Sequence, residues 1–302
     1  MGLIASMILK HLSLLIGLAS SLFFSIMAFG IHLLPDSLNS FFILFIRSGF
    51  ISLVLLPWGL TKSPAPWSRR SFSLWLRAIG GVGAMLCFYW NLTQISVTHS
   101  FLFGNFSPLI VVVLSPWLLN ERIKPVQLLG VILAVLAVVS PPILGLSKEN
   151  YHWHHLVIGI SGAFSLGVAS LSLRSASQDH HPAVVVFWMT TLGAVVSAAW
   201  MTFQGLWENQ WGAFRNHLPL FLGIVIMSLL AQLARTFHFK TTLAPIATTV
   251  SLSTIAFGTL LEVTFLDFDL TPTDGFSILF VMLGIILTQS PALYRFMKLP
   301  RG

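Results

Sequence analysis

The apolar residues of this chain fall into long, nearly uncharged runs that short polar segments separate. The run from Ser100 to Leu119 contains no charged residue, and the run from Val126 to Val139 has one Gln among Leu, Val, Ile, Ala and Gly. Between them lies a short charged elbow, Asn120 to Pro125. With its flanks, each run has about the 20 residues that a helix needs to cross a bilayer, and each is apolar on every face. The pattern predicts two antiparallel membrane-spanning helices joined at the membrane surface.

The same pattern, punctuated by Pro, Gly and polar turn residues, predicts ten spans. They cover residues 12–34, 39–60, 73–95, 99–119, 125–146, 155–174, 182–203, 217–237, 243–265 and 275–294. The first run is longer than the core of a secretory signal and lacks a convincing cleavage site, so we interpret it as an uncleaved span. The predicted fold class is an all-α integral membrane protein.

Basic residues are distributed unevenly around these runs. With a cytoplasmic N-terminus, only Lys148 and Arg215 fall in outer loops, and Arg47 lies within a span. The other basic residues lie on or near the cytoplasmic side: Lys10, Lys62, Arg69, Arg70, Arg77, Arg122, Lys124, Arg174, Arg235, Lys240, Arg295, Lys298 and Arg301. Because short cytoplasmic loops carry the excess of Lys and Arg, we predict a multi-pass protein of the bacterial inner membrane with both termini in the cytoplasm.

Composition supports this picture and excludes a large water-facing domain. Of the 302 residues, 56% are hydrophobic and 8% are charged, against about 25% charged residues in soluble proteins. The net charge of +7 comes from basic residues scattered at span ends, so we predict contact with anionic lipid and no nucleic-acid partner. The single cysteine, Cys87, lies within a span and excludes an internal disulfide.

The two halves of the chain repeat weakly. The segment from Leu243 has the same order of features as the segment from Met85: a helix with small polar residues, a Leu-rich end, an acidic turn and a Gly-bearing apolar helix. Five spans per half place the two copies in opposite orientations. The predicted fold is therefore ten transmembrane helices arranged as two inverted five-helix repeats, residues 1–147 and 148–302.

The motif order in the first half resembles the drug/metabolite transporter superfamily, and more narrowly its EamA-type half-repeat. A span ends in FYWNLTQISVTHS, a small polar segment GNFSP follows, a Leu-rich run closes with NER, and QLLGVILAVLAVV forms the next span. The resemblance covers essentially the whole chain, although the second half has Asp267-Phe268-Asp269 where the first has Asn120-Glu121-Arg122. It implies a ten-span carrier whose fourth and ninth spans line a central cavity.

Arg47 is the charge placed deepest within a predicted span. Such a charge costs about 2.5–3.5 kcal/mol on insertion scales, so it normally faces a protein interior or a water-filled cavity. Two interpretations stay open: an anchor for a substrate carboxylate, or a structural residue bonded to helix carbonyls or a buried partner. EamA-type proteins often carry an Arg at this point of the second span, which fits a shared structural role as well.

The other substrate-binding candidates are small polar or aromatic residues of three spans. The resemblance points to the fourth and ninth spans, and the third span adds residues of the same kind: Asn105, Ser107, Thr248, Ser251, Trp90, Asn91 and Gln94. Interhelical hydrogen bonds and aromatic packing are their alternative roles. Pro108 frees a backbone carbonyl within the fourth span and predicts a kink there, whereas Pro245 lies in the first turn of the ninth span, where proline is tolerated.

Glu262 lies near the end of the ninth span, on one helical face with Thr248, Ser251 and Gly258. Its side chain could serve as a proton-coupling carboxylate or as a partner for a basic substrate. It could also lie at the outer interface in water, which is the interpretation that we favour.

Charged and titratable residues also lie near the cytoplasmic ends of spans: Arg77, Arg174, Arg235 and His238. We expect their side chains to extend to the membrane interface, with one or two of them guarding the inner mouth of a cavity. The clustered histidines, His152, His154 and His155 outside and His180-His181 inside, lack a chelating spacing and a completing Cys or carboxylate set. We therefore predict no metal site.

These observations predict a transporter and no enzyme. The sequence has no ATP-binding motif and suggests no cofactor, so we expect a secondary transporter. It would export a small organic metabolite, such as an amino acid or organic acid, by alternating access.

A nucleotide-sugar or phosphate-ester carrier is the alternative within the superfamily, and it would need more than one deep basic residue. A lipid-modifying membrane enzyme would need an acid/base pair at one face, yet the few acidic residues lie mostly in outer loops. The expected partners are a small-molecule solute and the bilayer, and a homodimer is left open.

Overall fold

The computed structural model describes residues 2–66, 68–97, 100–101, 107–121, 124–126, 128–133, 136, 153–208 and 210–266, and scattered positions between 272 and 287. These residues contain helices and turns, and no strand occurs among them. The helices with described bounds are α1 (Gly2–His32), α2 (Ser40–Lys62), α3 (Phe72–Leu92), α4 (Ser107–Leu118), α5 (Trp153–Asp179), α6 (Pro182–Phe203), α7 (Gln210–Asn216), α8 (Leu218–Thr241), α9 (Ala244–Ser251) and α10 (Ser253–Phe265).

Within the described residues, seven helical segments are long and apolar enough to cross a membrane. They are His11–His32, Ser40–Lys62, Arg69–Leu92, Trp153–Asp179, Pro182–Phe203, Leu218–Thr241 and Ala244–Phe265. These segments match the predicted first, second, third, sixth, seventh, eighth and ninth spans. The predicted fourth, fifth and tenth spans fall partly outside the described residues, so the total of ten remains a prediction. The integral-membrane, all-helical class is confirmed.

Local signals explain where several helices begin. The side chain of Asn39 accepts a hydrogen bond from the amide of Phe41 (2.9 Å) and caps α2. The ring of His181 caps α6 in the same way, through the amide of Ala183, and Pro182 occupies the first turn. As predicted, Pro245 lies in the first turn of α9. Pro108 lies near the start of α4, and the residues before it are outside the described part, so its predicted kink is not tested.

The predicted ninth span is interrupted in its middle. α9 ends at Ser251 and α10 begins at Ser253. The amide of Leu252 bonds to the carbonyl of Thr249 (3.0 Å), three residues back, which is the tighter spacing of a 3₁₀ turn. No proline marks this position, and the break was not predicted.

The main helix pairs join the two predicted halves of the chain. α1 packs along α8, α2 along α6, α3 along α5, and α4 against α5 and α9. Gly80 lets α3 approach α5 closely, because a Cβ at this position would lie 2.9 Å from the backbone oxygen of Ser165. Small residues at helix interfaces permit such close packing in membranes.

The surface is apolar and the interior contains many polar groups. Leu60, Trp117 and Phe203 are each at least three-quarters exposed, whereas Arg47, Thr190 and Ser228 are fully buried. This arrangement suits a chain whose outer surface contacts lipid, where an unpaired polar group is costly.

Candidate functional site

A central cavity of about 110 Å³ lies between helices from both predicted halves. α1, α3 and α4 contribute from the first half, and α5, α8, α9 and α10 contribute from the second. The residues of α3 that line it include Arg77, Gly81, Ala84, Phe88 and Asn91, which lie on one helical face. Because a helix rises about 1.5 Å per residue, this face extends about 21 Å through the membrane interior.

One end of the cavity is strongly basic. Arg77, near the start of α3, and Arg235, near the end of α8, both line it. Arg77 Nη2 donates to Gln232 Oε1 (3.2 Å), and Arg235 Nη2 donates to Ser170 Oγ (3.2 Å). The Arg235 guanidinium also lies over the rings of Phe24 and Phe239, at 5.8 and 5.5 Å from their centroids.

The deep burial of this basic end was not predicted, although we expected one or two of these residues to guard the inner mouth of a cavity. We expected Arg77, Arg235 and His238 to extend to the interface, and this is wrong for Arg77, which is 3% exposed, and for His238, which is 2% exposed and whose Nδ1 lies 3.0 Å from Ser13 Oγ. Arg235 is partly buried against the cavity. A usable signal was present, since Gln232 and Arg235 are spaced i, i+3 inside an apolar span and therefore share a face.

The predicted substrate-binding residues are divided between several environments. Asn91, Ser107 and Ser251 line the central cavity. The buried side-chain oxygen of Asn91 has no hydrogen-bond partner, while its Nδ2 donates to the carbonyl of His155 (3.4 Å). Gln94 lies beyond the end of α3 and lines a second cavity. Asn105 lies outside the described residues.

Trp90 and Thr248 are not among the residues that line the central cavity. The Trp90 ring packs beside the rings of His154 and His155, each 5.5 Å away. Thr248 is buried and its hydroxyl donates to the carbonyls of Ala244 and Pro245 within its own helix. Trp90 therefore shows aromatic packing, and Thr248 is bonded within its own helix, so a substrate-binding role for either residue stays a prediction.

Arg47 lies one layer behind the cavity wall and is fully buried. Its Nε donates to Ser228 Oγ, its Nη1 contacts the sulfur of Met85 (2.8 Å), and its guanidinium lies 5.9 Å from the ring centroid of Tyr89. Met85 and Tyr89 line the cavity, whereas Arg47 does not. One nitrogen, Nη2, is buried without a partner.

The second cavity, of about 540 Å³, lies beyond the central one at the C-terminal ends of α1 and α3. Along α1 the lining passes from Met27 in the central cavity to Ile31 in the second, and along α3 it passes from Asn91 to Leu92. The two cavities therefore follow one another along the helix axes. Asp36 and His32 give the second cavity polar walls.

Glu262 lies at the wall of this second cavity, and its favoured interpretation is wrong. We expected it in water at the outer interface, but it is 1% exposed. Its Oε1 accepts a hydrogen bond from the amide of Val97 (2.7 Å). The Glu262 carboxylate thus supplies the acceptor that the buried backbone N–H of Val97 requires.

An ion pair joins several helices at the other end of the molecule. Glu121 Oε1 accepts from Arg174 Nε (2.7 Å), and Glu121 Oε2 accepts from the amide of Ala244 (2.8 Å). Arg174 Nη1 also donates to the carbonyls of Phe239 and Lys240, both at 2.8 Å. We call this group the Glu121–Arg174 latch. It links the end of α4, the last third of α5, the end of α8 and the start of α9.

Among the described residues, no three His, Cys, Asp or Glu side chains are grouped so that they could hold a metal ion. His152, one of the clustered histidines, lies outside the described residues.

Comparison with known proteins gives the family. A model of the EamA-like transporter family matches residues 11–140 and again residues 154–289. The chain is 27% identical to the pseudopaline exporter CntI of Pseudomonas aeruginosa, over 75% of this chain and 78% of that protein. It is 28% identical to an uncharacterised transporter of Helicobacter pylori, over 58% of this chain and 61% of that one.

A solved crystal structure has the same fold. It superposes with a TM-score of 0.67 at 19% identity and covers 95% of this chain and 98% of its own. Together with a lipid-facing surface and an interior cavity between spans, the double family match over most of the sequence leads to one conclusion: this chain is a multi-pass membrane transporter that belongs to the EamA-like transporter family.

Proposed function

We propose that this chain is a secondary transporter that exports a small organic metabolite, such as an amino acid or organic acid, from the cytoplasm by alternating access. The observation that carries the proposal is the central cavity, which is enclosed by helices of both halves and lined by polar groups deep in an apolar molecule. Export is supported by the relative from Pseudomonas aeruginosa that is named as an exporter.

The helix pairing supports two inverted halves. In the predicted repeat, each span corresponds to the span five places away. The first span (α1) corresponds to the sixth (α5), and the eighth span (α8) corresponds to the third (α3). Exchange of corresponding spans converts the α1–α8 pair into the α5–α3 pair, and α2–α6 and α4–α9 are converted into themselves. A pairing scheme that is unchanged by this exchange is expected for a pseudo-twofold transporter, whose halves rock about a site near the midplane.

The two ends of the transport pathway differ, and the difference supports one conformation of the transport cycle. The Glu121–Arg174 latch ties four helices together at the end that we predict to be cytoplasmic. At the opposite end, the second cavity continues from the central one. This arrangement favours a conformation whose cytoplasmic side is closed, from which a solute leaves outward.

Within this scheme the substrate contacts come first from Asn91, Ser107 and Ser251, which line the central cavity. Gln94 is proposed as a contact in the outer cavity. Arg47 then acts through the wall residues Met85 and Tyr89, which it contacts, and it shapes the site without touching the solute.

Glu262 is the proposed coupling carboxylate. It is buried at the wall of the outer cavity, where a change in its protonation would alter its hydrogen bond to Val97 and so the junction between α10 and the segment after α3. Replacement by Gln should make flux insensitive to an imposed pH gradient, and flux that keeps its full response would exclude this role.

Solute flux into proteoliposomes tests the function. A panel of radiolabelled amino acids, di- and tricarboxylates and sugar phosphates is offered with and without a pH gradient. Ser251→Trp should block any flux, because it fills the cavity, whereas Leu60→Trp, on the exposed surface, is the matched control and should transport normally. Equal flux in both variants would show that solutes do not pass through this cavity.

The alternative, a carrier of nucleotide sugars or phosphate esters, gains support from one observation. This alternative requires more than one deep basic residue, and the burial of Arg77 together with the position of Arg235 at the cavity supports it. Flux of sugar phosphates in the same panel, without flux of amino acids, would select this alternative.

A further inference from the structure

The basic end of the central cavity presents two guanidinium groups from facing helices. Arg77 lies five residues after the start of α3, and Arg235 lies six residues before the end of α8. α3 and α8 run from opposite sides, so both residues lie at a similar depth on the side that we predict to be cytoplasmic. Gln232, one turn before Arg235 on α8, also lines the cavity and bonds to Arg77.

The described partners of these groups hold them in place without neutralising them. Arg77 bonds to an amide oxygen, and Arg235 bonds to a hydroxyl and lies over two phenyl rings. The Nε of Arg235 is buried and has no hydrogen-bond partner. A planar guanidinium held in this way keeps donors available for a planar or tetrahedral anion.

No carboxylate of the described chain balances the two charges. The acidic residues that the structure describes are Asp36, Glu121, Asp179, Glu208 and Glu262, and none of them lines the central cavity. Glu121 is occupied by Arg174 and the amide of Ala244, and Glu262 lies in the wall of the outer cavity.

Uncompensated charge of one sign within a membrane interior is costly. An anion that enters the cavity offsets that cost, whereas a cation at this end increases it. The unpaired oxygen of Asn91 lies about 21 Å away along α3 by helical rise, so a small solute contacts the two arginines and Asn91 at different points of its path. The basic end therefore forms a self-contained binding region.

We propose that Arg77 and Arg235, positioned by Gln232 and Ser170, form the anion-binding site of the transport cavity, and that the exported solute carries a carboxylate or phosphate group which these two guanidiniums bind. This inference rests on the proposed transport function and gives it a substrate class.

Binding of small anions to the purified full-length protein tests the site without requiring flux. The probes are succinate and inorganic phosphate, with the diamide succinamide as a neutral analogue of succinate, all at constant ionic strength. The midpoint of thermal unfolding in detergent is followed against probe concentration. Wild type should be stabilised by at least one anion and not by succinamide.

The variants assign the effect to the two residues. Arg235→Gln and Arg77→Gln should each weaken anion binding by about tenfold or more, the usual loss for a charge-assisted hydrogen bond. Arg77→Lys and Arg235→Lys keep the charge and should bind more weakly than wild type but more tightly than the Gln variants. Arg215→Gln, an exposed arginine on α7, is the matched control and should bind as wild type does. If a Gln variant does not fold, the Lys variant of the same residue tests the site instead. Wild-type anion affinity in that Lys variant would count against the site.

The outcomes separate this site from the transport function. Anion binding that both Gln variants lose, without flux of any solute in proteoliposomes, would keep the site and reject the transport proposal. Flux of neutral or cationic solutes that both variants retain would keep the transport function and overturn the anion site. Stabilisation that persists in the Gln variants, or that neither anion produces in wild type, would also overturn it.

Discussion

A buried guanidinium in a membrane interior needs hydrogen-bond acceptors, or rings and dipoles that stabilise its charge. For Arg47, the described contacts are all with protein side chains. It reaches Ser228 on α8, Met85 on α3 and the ring of Tyr89. These contacts connect three helices at one point. Such a position favours a structural role over direct contact with a solute.

Arg47→Ala should therefore reduce stability more than binding. It removes a buried charged hydrogen bond, worth about 1.5–3 kcal/mol, and leaves space where the side chain packed. We expect a lower midpoint of thermal unfolding, with anion affinity within about twofold of wild type in the folded fraction. Arg47→Lys should lose less stability, since it keeps a donor. A large loss of affinity in a stable Arg47→Ala protein would restore the carboxylate-anchor interpretation.

His181 gives a pH dependence whose sign follows from its surroundings. Burial, and then the positive charges of Lys62 and Lys240, lower the pKa of His181 below its usual 6.5. A lowered histidine pKa means that the folded state favours the neutral ring, so its stabilising contribution is complete above pH 6.5 and is lost as the pH falls through the folded-state pKa. Protonation also removes the acceptor that caps α6.

His181→Asn keeps a capping acceptor that does not titrate. We expect the variant to lose less thermal stability than wild type when the pH is lowered from 7.5 to about 5, within the titration range of histidine. The effect should be small, because the side chain is largely exposed. An equal loss in both proteins would show that the cap does not respond to pH.

At the level of single residues, the sequence identified polar positions better than it identified their surroundings. Asn91, Ser107 and Ser251 were named and do line the cavity, because small polar residues on an apolar span are visible in the sequence. The burial of Glu262 and Arg77 was missed, because distance from a span end does not reveal what packs around a side chain. That information depends on partners such as Val97 and Gln232, from other parts of the chain.

Among the structural elements, the Glu121–Arg174 latch has the clearest consequence. Both side chains are nearly buried, at 9% and 12% exposure, and Glu121 also caps the first amide of α9. Removal of one partner leaves the other charge without its counterion in a region of low polarity. Loss of a buried pair's partner typically costs about 3–5 kcal/mol, and a partly exposed pair costs less.

Glu121→Gln should loosen the cytoplasmic end. The amide can still accept from Ala244, but the ion pair with Arg174 is lost, so we expect a lower unfolding midpoint and a larger population open to the cytoplasm. The readout is the rate at which a cysteine introduced at Ser251, in a Cys87→Ser background, reacts with a polar maleimide added from the cytoplasmic side. Asp179→Asn, an acidic residue at the end of α5, is the control, and an unchanged rate in Glu121→Gln would exclude a gating role for the latch.

Several helices were predicted to within about two residues at each end, whereas α1 and α5 are longer than the predicted spans 12–34 and 155–174. The second predicted span, 39–60, became Ser40–Lys62, and the seventh, 182–203, matched Pro182–Phe203. The short helix α7 and the interruption at Leu252 were not predicted. Both lack a proline or an apolar periodicity that marks them, and the tight turn at Leu252 forms within an otherwise unbroken apolar run.

For the molecule as a whole, orientation is the prediction that sequence alone supports most directly. We expect the loop near Ser147 on the outer side and the segment near Ser63 in the cytoplasm. In a Cys87→Ser background, a membrane-impermeant maleimide added to intact cells should label Ser147→Cys and leave Ser63→Cys unlabelled until the membrane is opened. The reverse pattern would invert the topology, and with it the direction assigned to the latch.

The pairing of α1 with α8, α2 with α6 and α3 with α5 also has a consequence for biosynthesis. Ser228, the partner of Arg47, is synthesised 181 residues later, which corresponds to roughly 10–40 s at ordinary translation rates. During that interval the first three helices are in the membrane without their partners, and Arg47 and Arg77 have neither Ser228 nor Gln232 to bond. We therefore expect insertases and membrane chaperones to bind the nascent first half. Its lifetime in the membrane should depend on how soon the second half is synthesised.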